Sequence, residues 1–362
     1  MTDTTVLVTG GVDTHKDFHV CAALDERGRV LGTEQFPTTL RGYRALLDWL
    51  REFGQLSAVG VEGTGSWGAG LARFLTEAGV EVIEVNRPNR QARRRRGKSD
   101  LADAEAAART VLAGDAVGIP KAATGSVEAI RLLKIARRSA MKARTQAANQ
   151  IHSVIDTAPE ELRAKLLGLR ERERITKASK MRVIDASVPL GAAKLALVSL
   201  ARRWIMLSDE IILLDVHLAE LVESTAPTLI AIKGVGIETA GALLAAAGDN
   251  PTRLRSDRSY AALCGSSPVN ASSGRQQHRH RLNRGGDRQA NCALYIIVLN
   301  RLSWHQPTKD YMARRTAEGR TKKEIIRCLK RYVAREVYRA IMLDMTEQDA
   351  SLETVETLRQ AA

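Results

Sequence analysis

Four acidic residues in the first third of the chain have the types and spacing that divalent-metal chemistry needs. Asp13 and Glu62 each follow a short apolar run, so both lie where a predicted strand ends. Asp100 and Asp103 are three residues apart at the start of a predicted helix, which places both carboxylates on one helix face. Oxygen ligands of this kind suit Mg²⁺, and a pair of such ions can clamp both oxygens of a phosphoryl transfer. The sequence therefore predicts a Mg²⁺ site for phosphodiester chemistry.

The elements that must position these acids form an ordered series. Apolar runs, turn residues and helical periodicity between residues 6 and 115 predict the order β-β-β-α-β-α-β-α. That order indicates a mixed sheet with helices on its faces, as in RNase H-like domains. Taken singly, each acid also fits a structural role: a turn cap for Asp13, a solvated side chain for Glu62, and helix capping for Asp100 and Asp103.

A dense run of basic residues leads directly into the acidic pair. It consists of Arg87, Arg90, Arg93, Arg94, Arg95, Arg96 and Lys98, with no acid among them. The whole chain has a formal net charge of +14, which favours a polyanionic partner. We expect this run to hold a phosphate backbone beside the metal site. The alternative is a solvated helix face.

A glycine-containing turn near residue 234 is a second candidate for phosphate contact. Lys233, Gly234 and Gly236 precede a helical run and resemble the turn of a helix-hairpin-helix. In such a turn the glycines expose backbone N–H groups at a helix N-terminus, where a phosphate can bind. An ordinary turn between two helices explains the same pattern.

Two adjacent serines in a Gly-rich loop are candidate nucleophiles. Ser272 and Ser273 are followed by basic residues, namely Arg275, Arg279, Arg281 and Arg284. A serine hydroxyl in this setting can attack a phosphodiester while the arginines stabilise the developing charge. By spacing alone, ordinary loop composition explains the segment equally well.

The middle of the chain is predicted to be helical. Its strongest feature is an apolar seam with 3-4 spacing, formed by Leu197, Leu200, Trp204, Leu207, Ile211, Leu214, Leu218 and Leu221. Such a seam is typical of a coiled coil, and we expect it to mediate assembly of a homo-oligomer, a dimer or tetramer. A helical hairpin within one chain is the alternative. Pro159 and Pro189 are expected to divide the region into segments.

Several protein classes do not fit the composition. The chain has 362 residues, and no apolar run reaches the 18–20 residues that a membrane span needs. The four cysteines are far apart, which argues against a disulfide framework or a zinc site. No secretory signal is recognisable at the N-terminus. We therefore expect a cytoplasmic protein that is not associated with membranes.

Three segments together resemble the DEDD motifs of a bacterial insertion-sequence transposase family, the bridge-RNA-guided DNA recombinases. They are Gly11–Asp17, Val61–Gly65 and Lys98–Ala104. The stretch Leu229–Leu302, with its Gly-Val-Gly turn, Pro268 and the Ser-Gly pair, is similar to the C-terminal transposase domain of that family. The resemblance covers roughly residues 8–345.

The resemblance implies a domain order and a mechanism. It implies a RuvC-like DEDD domain in residues 1–120, a coiled-coil oligomerisation region in 121–225, a mainly α-helical transposase domain in 226–345 and a tail in 346–362. It also implies that Ser273, with Ser272 as the alternative, forms a transient phosphoserine link to DNA with the help of the acidic tetrad and Mg²⁺. An element-encoded non-coding bridge RNA would pair with donor and target DNA.

Three other functions fit the sequence less well. A metal-dependent RuvC-like nuclease or junction resolvase would use the acids without a covalent step, but would leave the C-terminal third without a role. A sugar kinase or actin-like ATPase would need a Gly-rich phosphate loop where His15, Lys16 and Asp17 stand. A non-catalytic RNA-binding scaffold would explain the charge but not the four ordered acids.

Overall fold

The chain divides into two compact units. A computed structural model describes residues 6–85, 99–250, 253–270, 280–281, 283 and 285–361, with side chains beyond 347 and at 280 left out. The first unit comprises Met1–Gly125 and Ala247–Ser256, and the second comprises Ser126–Ala246 and Asp257–Ala362. The domain boundaries predicted at residues 120, 225 and 345 stay predictions.

The first unit contains a five-stranded mixed sheet. Its strands are β1 (Leu7–Thr14), β2 (Phe18–Asp25), β3 (Val30–Pro37), β4 (Gln55–Glu62) and β5 (Val82–Val85). Their spatial order is β3-β2-β1-β4-β5. The first three strands are antiparallel neighbours, while β4 and β5 extend the sheet in parallel from β1. This arrangement confirms the predicted mixed sheet and is compatible with an RNase H-like fold.

A tight turn fixes the register of the β2–β3 hairpin. The Asp25 carboxylate accepts hydrogen bonds from the backbone N–H groups of Arg27 and Arg29. Gly28 has a φ of +77°, a conformation that glycine adopts without a steric penalty. The turn therefore forms where its Asp-Glu-Arg-Gly sequence predicts it.

Helices cover both faces of this sheet. They are α1 (Leu40–Glu52), α2 (Ala69–Glu77) and α3 (Asp100–Leu112). On one face, Val12 of β1 and Val61 of β4 join Leu46 and Leu71 of α1 and α2 in a buried core. On the other face, the small residues of α3 pack against β2. Successive side chains of a strand point to opposite faces, so the remaining positions of β1 and β4 face α3.

Two long antiparallel helices form the framework of the second unit. They are α4 (Ser126–Thr157) and α7 (Pro189–Thr225), and α5 (Glu160–Leu166) and α6 (Glu171–Ser179) connect them. Arg137 near the start of α4 pairs with Asp215 near the end of α7, while Arg144 lies over the Trp204 ring. Pro159 and Pro189 divide the region as predicted, and each stands at a helix start: Pro159 is the N-cap of α5 and Pro189 is the first residue of α7. Proline is tolerated there because the N–H groups of a first turn have no partner within the helix.

The apolar seam of α7 packs within the chain. Leu207 and Ile211 are buried together with Ala140 of α4, and Leu197 joins a second cluster with Ile151. The structure therefore shows the intramolecular hairpin and not an exposed coiled-coil seam. The prediction that this seam needs a second copy to cover it was wrong, because heptad spacing does not tell whether the partner helix lies in the same chain.

The rest of the second unit is mainly helical. Its elements are α8 (Pro227–Ala231), α9 (Ile237–Ala247), α10 (Asp257–Leu263), β6 (Val269–Asn270), β7 (His280–Arg281), α11 (Arg288–Trp304), α12 (Gln306–Ala317) and α13 (Lys322–Ala361). The last helix continues through the predicted tail without a break. Its buried Asp344 accepts hydrogen bonds from the backbone N–H groups of Thr228 and Leu229, which anchors α8.

Candidate functional site

The first two predicted acids lie side by side at one edge of the sheet. Asp13 is the next-to-last residue of β1, and Glu62 is the last residue of β4. Val12 pairs with Val61 in the parallel register, so Asp13 and Glu62 lie at the same level on neighbouring strands. The Thr14 hydroxyl donates a hydrogen bond to the Glu62 carbonyl oxygen at 2.8 Å, which ties the two strand ends together.

Glycines beneath these acids let α3 approach the sheet closely. A Cβ atom placed on Gly11 would come within 2.3 Å of the Ala104 carbonyl oxygen, and one on Gly60 would lie 3.0 Å from the Ala107 carbonyl oxygen. Gly11 precedes Asp13 by two residues and Gly60 precedes Glu62 by two. The alternation of side chains therefore puts both acids on the face that α3 covers.

The first turn of α3 brings the other two acids to this edge. The helix begins at Asp100, and the Asp103 N–H donates to the carbonyl oxygen of the N-cap residue Ser99. Acidic side chains in a first helical turn are favoured by the helix dipole. The Asp103 residue is 6% exposed, whereas the Asp100 side chain is 41% exposed. One acid is therefore enclosed and the other is open to solvent.

Three side chains converge at the edge of the sheet. The His15 Nε2 atom lies 3.2 Å from Asp13 Oδ2 and 3.5 Å from Asp100 Oδ2. Ligand atoms of all three residues lie within 4.8 Å of one another. The structure thus brings together two of the four predicted acids and a histidine that we did not count among the ligands. The signal for it is the Asp-x-His spacing at a strand end.

The surroundings of Asp13 disfavour its charged form. Burial raises the pKa of the Asp13 carboxyl, and the charges of Asp103 and Asp100 raise it further, while His15 lowers it. The effect of Asp103 shows that it lies close enough to interact with Asp13. A cation among these groups would relieve the repulsion, which is the usual reason for such a grouping of acids.

The donor set fits a divalent metal ion. His15 Nε2 is buried and faces the carboxylates of Asp13 and Asp100, so the ring can turn a nitrogen lone pair toward an ion held among the three groups. Carboxylate oxygens suit Mg²⁺ and Mn²⁺, and an imidazole nitrogen adds affinity for the transition metal. Glu62 is not one of the three converging side chains, although its strand position puts it at the same edge.

A Gly-rich loop follows Glu62 and is anchored to β5 by a side-chain hydrogen bond. Gly63 has a φ of +71°, and the Thr64 hydroxyl donates to Glu84 Oε1 at 2.9 Å. Glu84 in turn lies 3.7 Å from Arg253, which comes from a distant part of the sequence within the same unit. Trp67 in this loop is 57% exposed. The loop therefore presents a large aromatic ring to solvent next to the acidic edge.

The predicted serines lie, in the sequence, between two short paired strands. Asn270 of β6 pairs with His280 of β7 in an antiparallel two-stranded sheet. Ser272, Ser273, Arg275, Arg279 and Arg284 lie outside the described residues, whereas Arg281 is an exposed residue of β7.

A buried polar network links α13, α11 and the backbone that follows α10. The Lys330 ammonium donates to Asn291 Oδ1 at 2.6 Å, and Asn291 Nδ2 donates to the carbonyl oxygens of Cys264 and Gly265. Burial lowers the pKa of Lys330 and raises that of the Cys264 thiol to about 12. The thiol therefore stays protonated and takes no part as a nucleophile.

The Gly-Val-Gly segment forms the turn that its sequence predicts. It connects α8 with α9, and Gly234 has a φ of +85°. The Lys233 side chain is exposed, and the Gly236 N–H donates a hydrogen bond within the turn to the Thr239 hydroxyl oxygen. The basic run Arg87–Lys98 lies outside the described residues, so its role stays a prediction.

Two protein-family models match this chain, one in its N-terminal part and one in its C-terminal part. The model DEDD_Tnp_IS110, described as a transposase, matches residues 10–158. The model described as transposase IS116/IS110/IS902 family matches residues 226–313. Together they cover more than half of the chain. The chain belongs to the IS110 family of transposases. Asp13, Glu62, Asp100 and Asp103 fall within the first match, and Ser272 and Ser273 fall within the second.

A relative in Streptomyces coelicolor supports the assignment. It is named insertion element IS110 uncharacterized 43.6 kDa protein and is 29% identical to this chain over 140 residues. The alignment covers 38% of this transposase-family chain and spans about a third, 32%, of the relative. Within the described part of the chain, no helix combines the length and the apolar character that crossing a bilayer requires.

Proposed function

We propose that this IS110-family protein cuts and rejoins DNA strands through a serine nucleophile in one unit and a Mg²⁺-binding acidic site in the other. The observation that carries the proposal is the convergence of Asp13, Asp100 and His15 at the end of β1. Asp103 and Glu62 complete the acidic site. Bound Mg²⁺ would supply positive charge to neutralise the phosphate oxygens during the displacement.

The covalent step is a transesterification at phosphorus. The Ser273 hydroxyl gives up its proton as Oγ bonds to phosphorus, and the bond from phosphorus to one DNA oxygen breaks. That oxygen takes up a proton and becomes a free strand end. Attack by a DNA hydroxyl on the phosphoserine reverses the exchange and restores the serine. Ser272 is the alternative nucleophile, because two adjacent hydroxyls occupy the same loop.

Basic residues on both units are proposed to bind nucleic acid. They are Arg87, Arg90, Arg93, Arg94, Arg95, Arg96, Lys98, Lys233, Arg275, Arg279, Arg281 and Arg284, with the backbone of Gly234 and Gly236. Their charge suits phosphate backbones of DNA and RNA alike. The partners proposed are donor DNA, target DNA and an element-encoded bridge RNA, which would make the bacterial nucleoid the place of action.

A second copy of the chain is proposed as a further partner. One side of α7 exposes large apolar side chains although the opposite side is buried in the hairpin. Met206 is 63% exposed, and Leu213 is 59% exposed. Large exposed apolar side chains on one side of a helix favour association. The proposed oligomer is a dimer or tetramer assembled through this outer side of α7.

The decisive experiment is a search for a protein–DNA adduct that survives denaturation. Cells carrying the intact element and its target would express the wild type or single variants: Ser273→Ala, Ser272→Ala and Asp13→Asn. Ser267→Ala is the matched control, because it changes a serine of the same segment whose hydroxyl contacts a backbone carbonyl. We expect an adduct with the wild type and Ser267→Ala, and none with Ser273→Ala or Asp13→Asn.

Other outcomes separate the alternatives. Loss of the adduct only in Ser272→Ala keeps the mechanism and moves the nucleophile by one residue. DNA cleavage without an adduct, unaffected by either serine change, favours a metal-dependent nuclease or junction resolvase. The acidic site lies entirely within one unit, so such a nuclease needs no residue of the second. Deleting the non-coding RNA while keeping the protein tests whether the RNA guides the reaction. If it does, strand exchange at the target should be lost.

A further inference from the structure

An open cleft in the second unit is unrelated to the acidic site. It has a volume of about 380 Å³ and lies among α11, α12 and α13. Its lining includes Arg301, Tyr311, Arg314, Tyr332 and Glu336. Ligand clefts commonly start at about 300 Å³, so this one is large enough for a single nucleobase with its sugar.

Two tyrosine rings are among the residues that line the cleft. The Tyr311 and Tyr332 rings meet edge to face with centroids 5.6 Å apart, and Tyr332 remains 49% exposed. Trp304, at the end of the neighbouring helix, is also 49% exposed. Aromatic residues make up only 4% of the chain, so this grouping is unusual. Exposed tyrosine faces provide platforms on which bases stack without sequence preference.

Positive charge accompanies the aromatic rings. The Arg314 guanidinium lies over the Tyr311 ring, 5.3 Å from its centroid, and its side chain is exposed. Burial and the neighbouring Cys328 and Tyr332 raise the pKa of Tyr311 to about 12, so its hydroxyl stays a neutral donor. An arginine beside an aromatic platform can contact the phosphate of a stacked nucleotide.

The floor of the cleft is joined to the glycine turn. Arg301 is 6% exposed, pairs with Glu336 at 2.7 Å, and donates through Nε to the Lys233 carbonyl oxygen at 2.7 Å. Gly234 leaves room for this contact, because a Cβ there would lie 3.1 Å from Arg301 Cγ. One buried arginine therefore fixes both the turn and the cleft wall.

We propose that this cleft binds one unpaired nucleobase of a single-stranded nucleic acid. The base stacks on Tyr332 with Tyr311 at its edge, and Arg314 contacts the adjoining phosphate. A base inside a duplex is already stacked and does not reach such a platform. The cleft thus selects single-stranded or unpaired segments, whether in RNA or in displaced DNA. The proposal rests on the proposed function only in taking nucleic acid as the ligand.

Photocrosslinking locates the bound base directly. The full-length protein would be irradiated with single-stranded DNA carrying 5-iodouracil or single-stranded RNA carrying 4-thiouridine, and labelled peptides would be identified by mass spectrometry. We expect labelling at Tyr332 or Tyr311 with a single strand and not with a duplex. The DNA and RNA arms show which nucleic acid is the source. Labelling only at other sites, or no binding of either strand, overturns the proposal.

Affinity measurements test the stacking contribution. Tyr332→Leu should weaken binding of a labelled single strand by about tenfold, while Tyr332→Trp should preserve it. Tyr295→Leu is the matched control, because Tyr295 is 41% exposed on α11 and does not line the cleft. Arg314→Gln should reduce the salt dependence of binding, whereas Tyr332→Leu should not. Equal losses in Tyr332→Leu and Tyr295→Leu would reject the cleft as the binding site.

This test is separable from that of the proposed reaction. The Asp13→Asn variant removes an acid of the metal site but leaves the cleft intact, so it should crosslink like the wild type. If crosslinking at Tyr332 persists while the adduct experiment fails, the cleft stands without the recombinase chemistry. If the covalent adduct forms and the cleft is never labelled, the cleft proposal alone fails.

Discussion

Gly11 of β1 lies directly against Ala108 of α3, so closely that a Cβ atom on Gly11 would come within 2.2 Å of the Ala108 backbone nitrogen. No real structure accommodates that distance, so a larger residue must push the helix away from the sheet. Because α3 begins with Asp100 and carries Asp103 in its first turn, this packing determines where both carboxylates lie.

The first prediction is that Gly11→Ala disrupts fold and site together. Displacing backbone against backbone should lower the free energy of unfolding by roughly 2–4 kcal/mol. It should also separate Asp100 from Asp13 and abolish metal-dependent DNA cleavage. Urea denaturation measures the first effect. Gly65→Ala is the control for stability, since nothing lies within 4 Å of the added carbon; equal unfolding midpoints in the two variants would contradict the packing argument.

A second prediction concerns the metal ion. Removing one buried charge should stabilise the metal-free protein, because the repulsion among Asp13, Asp100 and Asp103 disappears. Asp13→Asn should therefore unfold at a higher temperature than the wild type in a chelator. The wild type should gain about 1.4 kcal/mol of stability when Mg²⁺ or Mn²⁺ is present at tenfold its dissociation constant, and Asp13→Asn should gain almost nothing.

Asp17→Asn controls for the loss of one negative charge near this site. Asp17 is exposed and does not belong to the group of converging ligands. The variant should retain the metal-induced rise in unfolding temperature. A metal response that survives in Asp13→Asn but not in Asp17→Asn would place the ion elsewhere.

Stability should decrease in mild acid because of His19. This residue is fully buried and stacked on Tyr43, and neither ring nitrogen has a hydrogen-bond partner among the described residues. Burial lowers its pKa to about 4 from 6.5 in the unfolded chain, so the unfolded state binds the proton more readily. The contribution of uncharged His19 to stability is therefore fully present above pH 6.5 and is lost as the pH falls from 6.5 towards 4. The loss lowers the free energy of unfolding by at most about 3 kcal/mol.

Comparison with variants isolates this contribution. His19→Phe should show a flatter pH dependence of the unfolding free energy between pH 6.5 and 4. The raised pKa of Asp13 acts in the opposite direction in both proteins, and so cancels in the difference. His217→Gln, at an exposed position, should follow the wild type. An unchanged slope in His19→Phe would show that another group titrates.

The fourth prediction is that Lys330 and Asn291 act as an energetically coupled pair between α13 and α11. Asn291→Leu leaves a buried ammonium without its acceptor and should cost about 3 kcal/mol of stability. Lys330→Met in the same chain should restore much of it, because both partners are then apolar. A double-mutant cycle from urea unfolding should give a coupling of about 1 kcal/mol or more. Additive effects of the two single variants would mean that Lys330 and Asn291 are not energetically coupled, despite their 2.6 Å contact.

Neighbouring positions on α7 should separate assembly from folding. Met206 is exposed on the outer side of the helix, whereas Leu207 is 8% exposed in the hairpin core. Met206→Glu should lower the oligomer mass measured by light scattering without changing the unfolding temperature. Leu207→Glu should instead lower the free energy of unfolding by several kcal/mol, because it places a charge in the hairpin core. An uncompensated buried charge typically costs about 3 kcal/mol or more. An oligomer unaffected by Met206→Glu would exclude this side of α7 as the interface.

Much of the first unit was predictable because local patterns agree with the sheet. The strand ends at Asp13 and Glu62, the turn at Asp25–Gly28 and the helix that begins at Asp100 all follow from periodicity and turn chemistry. His15 was not placed in the site. A backbone hydrogen bond from His15 to Phe18 closes a turn after β1, and the ring lies against Asp13 only because of that turn.

The sequence by itself determined which segments are strands and helices, where prolines mark the starts of helices, and which acids lie at strand and helix termini. These features depend on neighbours within about four residues, so the order of amino acids is enough to define them. The family motifs also lie within short segments.

The tertiary structure alone decided which of these features meet. It paired the α7 seam with α4 of the same chain, brought Arg253 to Glu84, and joined Tyr311 with Tyr332 at the cleft. It also used Gly11 and Gly60 to bring α3 onto the sheet beside Asp13. Such contacts join residues far apart in the chain, and they are set by close packing of complementary surfaces, which no local pattern encodes.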